Sequence, residues 1–204
     1  MKDVGNINYF ANTRIPTEKA HGRQIAEMVN AFNISGHDTT LIVPSRYQSN
    51  DKLKSTDYSA FYGIDKPKIR YISFFDELSP WVVRNKLTKF FFYLRTIYNV
   101  VYLLIFTKRK DLLYTREFLV AALYRLFGRE VVYEIHQLDT AQLTQKVVKT
   151  LIRISPRTIS QMPVVAISST LKNELILLGF AKVCVAHDGS RGASGAGDIK
   201  LDFV

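Results

Sequence analysis

Apolar and polar positions along the chain alternate between two rhythms. Short runs rich in Val, Ile, Leu and Tyr occur at GNINYF (5 to 10), TTLIVP (39 to 44), IRYIS (69 to 73), DLLYT (111 to 115), VVYEI (131 to 135), VVAIS (164 to 168) and KVCVA (182 to 186). Their length and composition predict buried strands. Between them the apolar residues take helical spacing. Ile25, Met28, Val29 and Phe32 fall at i, i+3, i+4 and i+7 in a helix predicted over His21 to Asn33, with Gly36 placed to end it. Leu87, Phe90, Phe91, Leu94, Tyr98, Val101 and Ile105 keep the same spacing over a longer, unusually apolar helix. Further helices are predicted over Phe118 to Phe127, closed by Gly128, over Gln142 to Ile154, and over Thr170 to Leu178, closed by Gly179. Residues 45 to 68, rich in Ser, Asp, Lys and Tyr, interrupt the rhythm as an irregular excursion.

Alternating buried strands and helices imply right-handed crossovers and a parallel sheet covered on both faces. The predicted fold class is therefore α/β, a doubly wound, Rossmann-like parallel sheet. One domain is expected over residues 1 to 189. The final stretch, 190 to 204, is rich in glycine, serine and alanine and predicts a linker or disordered tail.

Composition narrows the classes without naming one. The 204 residues are 47% hydrophobic and 23% charged, an ordinary globular balance that excludes disorder of the whole. A single cysteine, Cys184, offers neither an internal disulfide nor a cysteine metal set, and suits a reducing compartment. Asp3 and Asn6 interrupt any apolar run at the N-terminus, so a signal peptide is not expected there and a cytoplasmic location is.

Candidate site residues follow from a rule of such sheets: ligands sit beyond the carboxyl ends of the strands, where strand order reverses. The first loop presents Arg14, His21 and Gly22. A helix starting near His21 offers unpaired amide groups and a partial positive charge to a phosphate, and Gly22 would let backbone approach it. A solvated loop with a glycine that relieves crowding explains the same residues. Neither GxGxxG nor GxxxxGK[ST] is present, which removes the usual support for nicotinamide, flavin or ATP binding. His136 ends a strand two residues after Glu134 on the same face, as a sugar-hydroxyl partner or as a satisfied structural histidine. Arg116 can grip an anion or form a surface ion pair, and Glu117 can be an early-turn acid complementing a helix dipole. His21, His37 and His187 show no ligand spacing, so no metal site is expected.

The net charge of +10 is concentrated. Eight basic residues against one acid, Asp111, lie between Trp81 and Arg116. The apolar helix in this segment has no stretch near the roughly 20 residues needed to span a bilayer. It can be a core helix with a solvated basic end, or lie in an anionic membrane interface. Nucleic acid is not an expected partner, because Phe90, Phe91 and Phe92 are consecutive on a helix and point in different directions.

Several of these pieces together, INYFANTRIPTEKAHGRQIAEMVNAFNISGHDTTLIVP, DLLYTRE, VVYEIHQ, VVAISSTLKNELILLGF and VCVAHDG, resemble the N-terminal domain of retaining glycosyltransferases of the GT-B fold, family 4. They span most of residues 4 to 189 in the family's order. The resemblance implies transfer of a sugar from a nucleotide-sugar donor to a glycan or lipid-linked acceptor, with retention at the anomeric carbon and no obligatory metal or other cofactor. It places His136 beside the transferred sugar as the catalytic residue. His21 and Gly22 would approach the donor diphosphate, and Arg14, Arg116 and Glu117 the acceptor.

The resemblance also implies a second Rossmann-like domain that binds the donor, whereas here the VAHDG turn runs into RGASGAGDIKLDFV. The chain is thus expected to be an acceptor-binding half, completed by a C-terminal domain or a partner subunit, and inactive alone. A peripheral position at the inner membrane face accompanies this expectation. The competing class is a non-catalytic Rossmann-like module holding an anionic ligand or a protein partner.

Overall fold

The computed structural model describes residues 5–45, 57–72, 88–137 and 142–186. Seven strands form one parallel sheet: β1 (Ile7–Phe10), β2 (Thr39–Pro44), β3 (Lys68–Ile72), β4 (Leu112–Thr115), β5 (Val131–Ile135), β6 (Val164–Ala166) and β7 (Val183–Val185). Their spatial order is β3-β2-β1-β4-β5-β6-β7. The register pairs Tyr9 with Leu41 on one side and with Tyr114 on the other. Crossovers leave β1 toward β2 and return across it to β4, so strand order reverses between β1 and β4.

The helices are α1 (Ala20–Ile34), α2 (Tyr58–Tyr62), α3 (Thr88–Phe106), α4 (Phe118–Leu126), α5 (Gln142–Ile154), α6 (Pro156–Ile159) and α7 (Ser169–Leu178). They divide between the two sheet faces. On one face Tyr9, Leu41, Val43 and Tyr114 pack with Ile25, Ala26 and Val29 of α1 and Tyr58 and Tyr62 of α2. On the other, Phe10, Ile42, Ile72 and Leu113 pack with Val100 and Leu103 of α3, Val120 and Tyr124 of α4, and Leu171 and Leu175 of α7. The sheet is doubly wound and Rossmann-like, as the alternation of apolar runs predicts.

Two short elements were not anticipated by the sequence reading. The excursion at 45 to 68 contains α2, opened by Asp57, whose Oδ2 accepts from the Ser59 amide at 2.8 Å, and closed by Gly63 at φ 69°. Helix α6 follows α5 directly, with Pro156 in its first turn. The expected domain limit near 189 and the tail 190 to 204 lie outside the described residues, as do Leu87, Trp81 and His187.

Helix α3 corrects the sequence expectation. Much of its predicted apolar stripe faces away from the core: Phe90 is 62%, Val101 46% and Ile105 67% exposed, joined by Ile97 at 57%, whereas Tyr98 packs against the core. The face laid on the sheet carries Arg95, Thr96 and Asn99 with Val100 and Leu103, all buried. Two of these polar side chains have hydrogen-bond partners. Arg95 Nη2 donates to Asn12 Oδ1 at 2.7 Å, in the loop after β1, and Thr96 Oγ1 donates to its own helix at the Phe92 carbonyl, 2.9 Å away. These two hydrogen bonds offset part of the desolvation of Arg95 and Thr96, which lets polar side chains face inward. Arg95 accordingly contributes no exposed charge to the basic surface counted from sequence.

Asp111, the one acid of that segment, is also buried, and it ties the amino ends of two elements together. Its carboxylate accepts from the Asn6 amide and from Asn8 Nδ2, both at 3.2 Å, and from the Lys108 amide at 2.9 Å. Helix α3 therefore runs antiparallel to the strands, from Asn12 at their carboxyl ends to Asn6 at their amino ends.

Candidate functional site

The carboxyl ends of β4 and β5 meet α1 in a cleft of about 310 Å³, lined among others by His21, Gln24, Arg116, Glu134 and His136. Two tyrosines are buried on the same side of the sheet. The Tyr9 ring stacks on Tyr114 from the neighbouring strand with centroids 5.2 Å apart, an offset arrangement that favours burial of both rings.

Glu134 organises the site. It is 2% exposed and lies one residue before the end of β5, so its side chain shares the α1 side of the sheet with Tyr9 and Tyr114. Its Oε1 accepts from Arg116 Nη2 at 2.8 Å and is in contact with His136 Nε2; its Oε2 accepts from the Tyr9 hydroxyl at 3.4 Å. Burial disfavours the carboxylate, but the hydrogen bond from His136 and the charge and hydrogen bond of Arg116 outweigh it, and Glu134 sits below its ordinary value. It is ionised wherever the fold is intact near neutral pH. Desolvation foremost, and then the same carboxylate, push the Tyr9 and Tyr114 phenols up, so both stay protonated. The Glu134 carboxylate holds the proton of His136 on Nε2 and fixes the orientation of the ring.

From the opposite wall, Arg116 Nη1 donates to Gln24 Oε1 at 3.3 Å, which joins α1 to the β4 end. His21 occupies the first turn of α1, and its Nε2 lies 2.9 Å from Thr13 Oγ1. Burial, and then the nearby charges of Lys19, Arg116 and Arg14, lower the His21 pKa. Its neutral form is favoured, so the imidazole can exchange hydrogen bonds with a ligand without a proton being taken up first.

The structure brings together three of the residues proposed from sequence, His21, Arg116 and His136. The others sit differently. Arg14 pairs with Glu18 one turn on at 3.6 Å, and it is outside the residues lining the cleft. Gly22 is buried, and its close approach is to the chain itself: a Cβ there would lie 2.3 Å from Thr17 Cγ2 and 2.8 Å from the Tyr62 hydroxyl. That hydroxyl accepts from the Thr17 amide at 2.9 Å and locks the loop before α1 against α2. Glu117 is the residue preceding α4, makes no side-chain cap, and gives its amide to Thr115 Oγ1 at 3.1 Å. Arg116, for its part, is engaged by Glu134 and Gln24 rather than standing open to an anion.

Gln24 and Tyr9 were missed from sequence. Gln24 lies three residues after His21 and so on the same helix side, a spacing that was available to find it. Tyr9 reads as an ordinary core aromatic, and only its reach to a carboxylate 125 positions away gives it a part. His37 is exposed in the turn before β2. Among the described residues no group of three or more His, Cys, Asp or Glu is placed to hold a metal ion.

The arrangement thus defines a doubly wound α/β domain with a charged, partly desolvated cleft at its topological switch point. Comparison with protein-family models and with curated proteins finds no match to the chain.

Proposed function

We propose that the cleft is the acceptor-side wall of a retaining glycosyltransferase, which moves a sugar from a nucleotide-sugar donor to a glycan or lipid-linked acceptor in the cytoplasm. The observation that carries this is the convergence of His136, held by the buried Glu134, with His21 at the head of α1 in one cleft. In this reading the donor-binding wall comes from a second domain of the GT-B type, and no cofactor beyond the donor itself takes part.

The chemistry suits these residues. In retaining transfer the acceptor hydroxyl adds to the anomeric carbon as the bond to the diphosphate breaks, and a leaving phosphate oxygen takes the acceptor proton. The protein's task is then positioning and charge stabilisation rather than supply of a nucleophile. His136, with its ring fixed by Glu134, touches the transferred sugar and orients it. His21 and the first amides of α1 face the negative charge that develops on the diphosphate. Arg116 acts through Glu134 as a positioning residue.

The test is transfer from labelled nucleotide-sugars by the full-length gene product, or by this chain reconstituted with the product of an adjoining reading frame. His136→Ala should lower kcat/KM at least about a hundredfold, by loss of transition-state positioning. An unchanged kcat/KM removes His136 from that role. The alternative, a non-catalytic module for an anionic ligand, draws on the positive potential that Lys19, Arg116 and Arg14 create at His21. It predicts anion binding in the cleft with no turnover of any donor by the completed protein.

A further inference from the structure

We infer that the outward face of α3, continued by the C-terminal end of α4, is a docking surface for an anionic lipid bilayer. Phe90, Leu94, Ile97, Val101 and Ile105 form one exposed apolar stripe along the helix. At its C-terminal end the stripe meets Phe127, 65% exposed, because the two helix ends are fastened together: Arg129 Nη2 donates to the Leu104 carbonyl at 2.8 Å, and the Thr107 and Tyr124 hydroxyls lie 2.8 Å apart. A contiguous apolar surface of this kind on a folded domain marks a contact site.

Charge selects the occupant. Neither α3 nor α4 contains an acidic residue. Lys108, Arg109 and Lys110 are exposed directly after the stripe, and the exposed Arg70 reaches the same end by donating to the Phe106 carbonyl at 3.3 Å. Of the described acids, Asp111 is engaged by the Asn6 and Lys108 amides and by Asn8, and Glu130 by Arg125 at 2.7 Å. An apolar stripe with a cationic end matches acyl chains beneath anionic headgroups, whereas a second copy of the same face would set like charges together. No described helix is long and apolar enough to cross a membrane, and α3 is committed to the sheet by its inner face, so it lies on the surface.

The orientation has a geometrical consequence. With α3 flat on the bilayer, the strands antiparallel to it run in the membrane plane, and the cleft at their carboxyl ends opens along the lipid surface. The docking itself does not depend on what the cleft does.

The experiment is sedimentation of the 204-residue chain with phosphatidylcholine vesicles, with and without phosphatidylglycerol, at low and high salt. Binding should require the anionic lipid and fall as salt screens the charges. Lys108→Glu with Arg109→Glu should weaken it on the order of tenfold or more, and Leu94→Glu with Ile97→Glu should do so by a similar factor. Both pairs replace exposed side chains, so thermal unfolding should be unchanged; Lys108→Gln with Arg109→Gln is the milder control and should give a smaller loss. No sedimentation of the wild-type chain, equal binding to neutral vesicles, or binding indifferent to both pairs overturns the inference. Self-association that the Leu94/Ile97 pair abolishes, without vesicle binding, assigns the face to a second copy and overturns it as well.

Discussion

Helices α1 and α3 cover opposite faces of the same sheet, and they treat their apolar residues in opposite ways. In α1, Ile25 and Val29 from the predicted stripe are buried on β1 and β2, and Met28 and Phe32 pack at the margin. In α3 much of the predicted stripe is turned to solvent, with Tyr98 kept against the core, while Arg95, Thr96 and Asn99 lie inward beside Val100 and Leu103. Hydrophobic periodicity identifies a helix and the width of its apolar face, but the sign of that face relative to the sheet depends on what the sheet offers. At α1 the loop before the helix packs through Thr17 against Gly22 and Tyr62, and the helix lays Ile25, Ala26 and Val29 on the sheet. At α3 a polar residue at the end of β1, Asn12, accepts from a guanidinium, and that pairing lets the polar side face in.

The contrast can be broken most forcefully at Leu103, which is fully buried on the inner face of α3. Leu103→Ala should cost about 3 kcal/mol in denaturant unfolding, by lost transfer energy and the cavity left behind. A loss near zero would mean that the inner face is not packed as described. On α1 the test is Gly22→Ala. The added methyl meets Thr17 and the Tyr62 hydroxyl, and overpacking of a fixed loop should destabilise by about 2 kcal/mol. A neutral outcome would show that the loop gives way, and with it the basis for the position of His21.

Acid titration probes the α1 side through its site. Glu134 has a folded pKa below its ordinary 4.5, so the stability it contributes is present above that value and is lost as pH falls below 4.5 through the folded pKa. His21, with a folded pKa below its ordinary 6.5, adds a loss that begins as pH drops through 6.5, where the unfolded chain takes up the proton and the folded chain resists it. Unfolding midpoints measured against pH should therefore lose the lower component in Glu134→Gln and the upper one in His21→Gln. Persistence of both would detach the pH dependence from these groups. The smallest effect belongs to the outer face of α3, where Ile97→Ala should change stability by less than about 0.5 kcal/mol. A loss comparable to that at Leu103 would reverse the description of the helix.

Much of the fold was legible because parallel strands buried on both faces carry an unambiguous composition: VVYEI and TTLIVP became β5 and β2 without a change of boundary. The pair of Glu134 and His136 was legible too, since residues two apart on a strand share a face. What could not be read depends on partners distant in the chain. Arg95 finds Asn12 across 83 positions, and Arg116 finds Gln24 across 92. A charged residue written in a helix carries no sign of whether such a partner exists, so Arg95 looks like surface charge until the fold is known. The sequence expectation set Gly22 against a ligand, whereas the contact the structure shows is with Thr17 and with Tyr62 of α2, a partner that no local pattern announces.

The account rests on the cleft at the carboxyl ends of β4 and β5 being a place where a phosphorylated ligand binds. Titrating isotopically labelled chain with inorganic pyrophosphate, and following amide and imidazole resonances, tests this most directly. Salt-sensitive shifts confined to His21, Gln24, Arg116 and His136, and abolished by His21→Ala, are the expected result. Resonances of these four residues that stay fixed at saturating pyrophosphate, or shifts that gather instead around Lys108 to Lys110, would contradict it.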